Sequence, residues 1–103
     1  SPEKLMEAYL EAFQKNDFET MLRFTAELEE SEEELAYLKN FIQMIELEKY
    51  SIAQVDYLSE SEATVKVNLT LRLMGHEKTQ TDSVRVVRKE GKWFLREGIL
   101  DEK

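Results

Sequence analysis

The sequence predicts an α+β fold, with three N-terminal helices packed on the concave face of a curved four-stranded antiparallel meander sheet. Residues 63–73 alternate apolar and polar side chains without a break, which is typical of a long strand with one buried face. Two shorter strand-like runs, 83–88 and 93–95, follow with a tight turn between them. Before residue 45 the apolar residues instead recur at helical spacing. An apolar sheet face needs a covering layer, and these helices would supply it.

Length, charge and cysteine content narrow the function classes. A chain of 103 residues predicts one domain, 1–103, whose core is large enough to fold without disulfide or metal cross-links. The net charge is −8, and residues 1–50 carry all of it, because 13 acids there face only 5 bases. This balance disfavours nucleic-acid binding. The chain has no cysteine and a lone histidine, His76, so we expect no Cys/His zinc site and no cofactor. It also has no apolar run long enough for a membrane span.

Two helices are predicted before residue 31. Pro2 suits the first turn of a helix over 3–14. The apolar side chains of this helix recur at helical spacing: Leu5, Met6, Ala8, Tyr9, Leu10, Ala12 and Phe13. Asp17 is a suitable N-cap for a second helix, which we expect to end within 27–30.

A third helix is predicted to begin at Ser31. Serine followed three residues later by Glu34 forms a capping box. The neighbouring acids Glu32 and Glu33 point around a helix rather than converging, so we favour a solvated face over a metal site. The apolar stripe is broad enough to be buried on more than one face: Leu35, Tyr37, Leu38, Phe41, Ile42, Met44 and Ile45.

The turns of the predicted sheet are marked by glycine. A first strand over 50–58 alternates imperfectly, which indicates a bulge. Gly75 offers the positive φ that the turn after the long strand needs. Residues 90–91, as the two-residue tip of the last hairpin, would place Arg88 opposite Trp93.

Two stretches resemble the nuclear-transport-factor-2-like superfamily, which has a cystatin-like fold. Residues 8–18 resemble its opening helix, which a small residue and an aspartate commonly break; here Asn16 stands where glycine is usual. Residues 84–87 and 90–95 resemble its closing hairpin with its tryptophan. The chain is short for the superfamily, like the uncharacterised variants often found in bacterial lipoproteins.

This resemblance implies an enzymatic alternative, because the superfamily includes ketosteroid isomerase and dehydratases. In ketosteroid isomerase a tyrosine on the first helix and a protonated aspartic acid on a strand donate to the developing enolate. Tyr9 and Asp82 stand in matching positions. The segment that carries the family's catalytic base has no counterpart here, and without a base there is no proton transfer to accelerate. We therefore expect no catalytic residue, and favour a non-catalytic module that binds a small ligand or another protein.

Two sites follow as predictions. A pocket for a small apolar molecule is expected among side chains that the helices and the sheet turn inward: Tyr9, Phe13, Phe41, Asp82 and Trp93. The alternative is that these side chains fill the core. On the outer sheet face Val87 should lie opposite Phe94, and two apolar residues within a charged rim indicate a homodimer interface.

The start of the sequence bears on location. The chain begins at Ser1 rather than at methionine, so we expect a trimmed or processed product. Together with the resemblance to lipoprotein variants, this favours an extracytoplasmic location after signal removal. The residues alone leave a cytoplasmic location open.

Overall fold

The structure is a computed structural model that describes residues 1–26 and 31–96. Its elements in chain order are α1 (Pro2–Gln14), α2 (Phe18–Arg23), α3 (Glu32–Gln43), β1 (Ile45–Tyr57), β2 (Glu62–Leu73), β3 (His76–Lys89) and β4 (Lys92–Leu95). The strands form one curved antiparallel sheet in the order β1-β2-β3-β4. The predicted α+β fold, three helices followed by a four-stranded meander, is confirmed.

Side-chain caps begin the second and third helices where the sequence predicts them. The Asp17 carboxylate accepts a hydrogen bond from the Thr20 backbone N–H at 3.2 Å. At α3 the Ser31 hydroxyl accepts from the Glu34 N–H at 3.2 Å, and the Glu34 carboxylate accepts from the Ser31 N–H at 2.9 Å. These bonds satisfy amide groups that the first turn of a helix leaves without partners, and they confirm the capping box.

The long strand β2 carries the inner, apolar face of the sheet. Every second residue along it is buried: Ala63, Val65, Val67, Leu69 and Leu71. The residues between them form a polar outer face. In β1 the register shifts between Leu47 and Lys49 and again between Ile52 and Gln54, which confirms the bulge indicated by its irregular alternation.

Helix α1 covers this inner face and contacts β1, β2 and β4. Its side chains Met6, Leu10 and Phe13 are completely buried. Burying one side chain of this size stabilises a fold by roughly 1.5–3 kcal/mol. The α1 stripe is therefore a main source of stability for the layer of helix on sheet.

The third helix is shorter and less buried than the sequence suggests. Helix α3 ends at Gln43, and Ile45, which we expected on the helix, instead begins β1 as the partner of Leu73. Ile42 is its buried residue, whereas Tyr37 and Met44 are exposed. The physical reason is that α3 packs mainly against β1, an edge strand, and one apolar stripe is enough for that contact.

Strand β3 and helix α2 also differ from expectation at their ends. Strand β3 begins at His76, well before the apolar run that starts at Ser83. Both faces of its first half are polar, so alternation gives no signal there. Helix α2 ends at Arg23, and the end that we expected within 27–30 lies outside the described residues.

Replacing Ser31 with alanine should lower the free energy of unfolding by about 1 kcal/mol, because the first turn of α3 loses its cap. Chemical denaturation measures this loss. Glu34→Gln is the matched control, since glutamine also completes a capping box and should retain stability. An unchanged denaturation midpoint in Ser31→Ala would contradict the stabilising role of the cap.

Candidate binding groove

An open groove of about 460 Å³ lies between the first half of α1, the end of α2 and the β3–β4 hairpin. Its lining residues come from these three elements: Ser1, Lys4, Leu5, Ala8, Arg23, Phe24, Gly91, Lys92, Trp93 and Phe94. The set combines an apolar floor with a cationic rim. We call this site the aromatic groove.

Tight-turn geometry places Trp93 in the groove. The hairpin reverses through Glu90 at φ 52° and Gly91 at φ 82°, and two successive positive φ angles define a type I′ turn. The resulting register puts Trp93 opposite Arg88, as the sequence predicts. On its other side the Trp93 ring meets Tyr57 edge to face, with ring centroids 6.2 Å apart and an interplanar angle of 72°.

Backbone hydrogen bonds hold the end of α2 against β4. The Leu95 N–H donates to the Phe24 carbonyl at 2.7 Å, and the Ala26 N–H donates to the Leu95 carbonyl at 2.7 Å. Thr25 and Leu95 thereby form a short parallel bridge. Because the bridge directly follows Arg23 and Phe24, it fixes these two residues in the wall of the groove.

The N-cap of α2 adds a pH-dependent support to this wall. The Thr20 hydroxyl donates to the Asp17 carboxylate at 2.7 Å and the Thr20 N–H donates at 3.2 Å, and both bonds lower the pKa of Asp17. A carboxyl with a lowered folded-state pKa stabilises the fold above its unfolded pKa. That contribution is lost as the pH falls through the lowered folded value.

The rim of the aromatic groove is positively charged. Lys4, Arg23 and Lys92 line it, and none of the described lining residues is acidic. Within residues 1–26 and 31–96, no ion pair joins these three side chains to a carboxylate. The start of α1 adds the positive end of its helix dipole. In a chain of net charge −8, this concentration of cations is a local exception.

The predicted pocket residues do not all lie in the aromatic groove. Trp93 lines it, but the structure places Tyr9, 3% exposed, and Phe13, fully buried, in the core between α1 and the sheet. Phe41 lies on the surface of α3. Asp82 is half-buried on the inner face of β3, where the Gln80 amide donates to its carboxylate at 2.6 Å. The predicted pocket around these five residues therefore stays a prediction.

Sequence reasoning missed the cations and one aromatic residue of the groove. Lys4, Arg23, Phe24 and Lys92 belong to segments far apart in the sequence, and each alone looks like an ordinary surface residue. The one local signal was the hairpin turn, which fixes Lys92 beside Trp93. The Thr25–Leu95 bridge that adds Arg23 leaves no mark in the sequence pattern.

Two absences among the described residues bear on the site. No group of three or more His, Cys, Asp or Glu side chains in this part of the chain is placed to hold a metal ion. Across residues 1–26 and 31–96, the helices are also too short or too polar to cross a membrane.

Val87 and Phe94, the predicted dimer residues, lie opposite each other on the outer face and are half-buried. Their role in a dimer stays a prediction.

Comparison with protein families gives one match. Residues 1–96 match the family model described as the NTF2-like N-terminal transpeptidase domain. A search of curated proteins found no match.

Comparison with solved structures finds the same fold at low sequence identity. A SEC-C motif-containing protein from Rhodopseudomonas palustris is 19% identical, with a TM-score of 0.75 over 95% of this chain and 77% of that one. An NTF2-like protein of unknown function from Shewanella oneidensis is 18% identical, with a TM-score of 0.67 over 89% and 88%. A ketosteroid isomerase-like protein from Erwinia carotovora is 18% identical, with a TM-score of 0.65 over 90% and 86%. Identities this low show a shared fold alone.

Replacing Gly91 with alanine should strain the hairpin and displace Trp93. Its φ of 82° disfavours any L side chain, while nothing lies within 4 Å of an added Cβ, so the cost is that of the backbone alone. We expect a loss of about 1 kcal/mol in the free energy of unfolding and a shifted Trp93 emission maximum.

Gly75→Ala is the matched control, because Gly75 has a φ of 85° and equally open surroundings. It should cost similar stability and leave the emission of Trp93 unchanged. Equal emission shifts in both variants would contradict the role of the Gly91 turn in placing Trp93.

Proposed function

We propose that this chain, which belongs to the family of NTF2-like N-terminal transpeptidase domains, is a non-catalytic module that binds an amphipathic anion in the aromatic groove. The family description places such a domain N-terminal to a transpeptidase, and a binding role fits a domain that accompanies a catalytic one. The observation that carries the proposal is a set of three cations, without carboxylate partners among residues 1–26 and 31–96, beside an aromatic floor.

The floor of the groove supplies the apolar half of the recognition. Phe24 and Trp93 are half-buried, so each still offers part of a ring to a ligand. Apolar area removed from water stabilises a complex by about 25 cal/mol per Å². An acyl chain or an aromatic ring lying along this floor would gain this free energy by burying its apolar surface.

The rim supplies the charged half. Lys4, Arg23 and Lys92 come from three different elements, α1, α2 and β4, and all three line the groove. A carboxylate or sulfonate at the rim would gain charge-assisted hydrogen bonds without displacing an existing partner among the described residues. Affinity should therefore fall as salt rises, because exposed charges are screened.

The packing around Tyr9 supports binding over catalysis. Isomerase-like chemistry needs a substrate in reach of the Tyr9 hydroxyl, a nearby acid and a base. Tyr9 is 3% exposed, and fully buried neighbours in the same cluster, Met6, Leu10 and Phe13, fill the interior. A substrate could reach this hydroxyl only if the core repacked, whereas the aromatic groove is already open.

Anilinonaphthalene sulfonate, an aromatic anion, is the probe that tests the proposal. Trp93 is the only tryptophan in the chain and lines the groove, so a dye bound there must receive energy from it. The Arg23→Gln/Lys92→Gln double variant should bind the dye about tenfold more weakly, which corresponds to about 1.4 kcal/mol. The neutral analogue phenylnaphthylamine should bind the variant and the unmodified protein alike.

The control is Lys49→Gln/Lys66→Gln, which removes the same charge from strands β1 and β2 away from the groove. It should retain the affinity of the unmodified protein. An equal loss in both double variants would show that net charge alone attracts the dye. Dye binding without energy transfer from Trp93 would place the site elsewhere and contradict the proposal.

A further inference from the structure

A second surface, separate from the aromatic groove, exposes large apolar side chains on and beside α3. We call it the α3 surface, and its residues are Tyr37, Phe41, Met44, Leu73 and Met74. Three of them are more than half exposed, at 71% for Tyr37, 54% for Met44 and 79% for Met74. Contiguous exposed apolar residues are uncommon on a monomer and mark contact sites.

The backbone brings these five residues to one end of the molecule. Tyr37, Phe41 and Met44 are spaced i, i+4 and i+7, so they share one face of α3. Met44 directly precedes Ile45, which pairs with Leu73 across β1 and β2. Met74 then follows in the turn.

A different stripe of α3 makes the contact with the sheet. Ile42 is buried there, and Leu35 and Leu38 are half-buried. The helix is therefore apolar over about half its circumference, and its own chain covers only one part of that arc. Such a second stripe fits a second partner.

Charge along the α3 surface favours a particular partner. At the start of α3, Glu33 lies one turn before Tyr37 on the same face. At the other end Lys78 stands on the inner face of β3, beside the strand ends where α3 finishes. The surface thus has an acidic residue, Glu33, at one end and a basic residue, Lys78, beside the other. Glu33 and Met44, 11 residues apart, are separated by about 16 Å along the helix.

We propose that the α3 surface binds a second copy of this chain, with the two α3 helices antiparallel about a two-fold axis near Phe41. In that arrangement the acidic end of each copy meets the basic end of the other, so Glu33 faces Lys78 twice. Met44 and Met74 have flexible, polarisable side chains that adapt to such a contact. A parallel arrangement would instead bring like charges together.

The small size of the α3 surface predicts a weak dimer. Five apolar residues are far fewer than the roughly 20–30 residues a side of a standard stable interface. The dimer should therefore be reversible and form at tens of micromolar or above. Val87 and Phe94 offer a smaller alternative, with two half-buried residues rather than five more exposed ones.

A charge-swap experiment tests the antiparallel dimer. Sedimentation equilibrium should show concentration-dependent dimerisation of the unmodified protein. Glu33→Lys and Lys78→Glu should each weaken the homodimer at least tenfold, because each creates two like-charge contacts. Mixed together, the two variants should form a heterodimer with about the original affinity, since both contacts are then of opposite charge.

Apolar variants supply the controls. Met44→Ser should also weaken the dimer, and Phe94→Glu should leave it intact; unchanged thermal unfolding midpoints would show that these variants fold. A monomer at several hundred micromolar would overturn the proposal. So would a dimer that only Phe94→Glu disrupts, or a charge-swapped mixture that stays monomeric. Phe94 also lines the aromatic groove, but sedimentation needs no ligand bound there, so the two proposals fail separately.

Discussion

The apolar inner face of β2 is the constraint on which the rest of the structure depends. β2 lies between the long strands β1 and β3, and its inner side chains need cover along nearly their whole length. Helix α1 supplies most of that cover with Met6, Leu10 and Phe13. The inner face of β3 turns polar at Asp82 and Gln80, which pair with Val67 and Leu69 of β2.

Local chemistry predicted much of this fold. The strict alternation of β2, the capping box at Ser31 and the Asp17 cap depend on residues a few positions apart, so their signals survive in the sequence. The start of β3 at His76 could not be predicted. Residues on both faces of its first half are polar, so the alternation of apolar and polar residues that indicates a strand is absent there. The exposure of Tyr37 on α3 was equally hidden, since a helical stripe does not reveal how much of it a neighbour covers.

The candidate site was less predictable than the fold for the same reason. Trp93 was identified through its hairpin, a local feature. Its companions Lys4 and Arg23 enter through the packing of α1 and α2 onto β4, which no short sequence pattern records. The aromatic groove and the α3 surface differ in chemistry. The groove combines cations with aromatic rings, whereas the α3 surface exposes apolar side chains. Under the two proposals, the groove would bind a small anion while the α3 surface binds a second copy of the chain.

The short bridge between Thr25 and Leu95 also has a kinetic consequence. Its two residues are 70 positions apart in the chain, so the loop that it closes costs more entropy than any hairpin of the meander. Contacts of such separation generally slow folding and gain support only after nearer strands have paired. We expect the wall of the groove to be assembled late, with Trp93 fluorescence reaching its native value after the circular-dichroism signal of the sheet. Simultaneous recovery of both signals would show instead that sheet and groove form in one cooperative step.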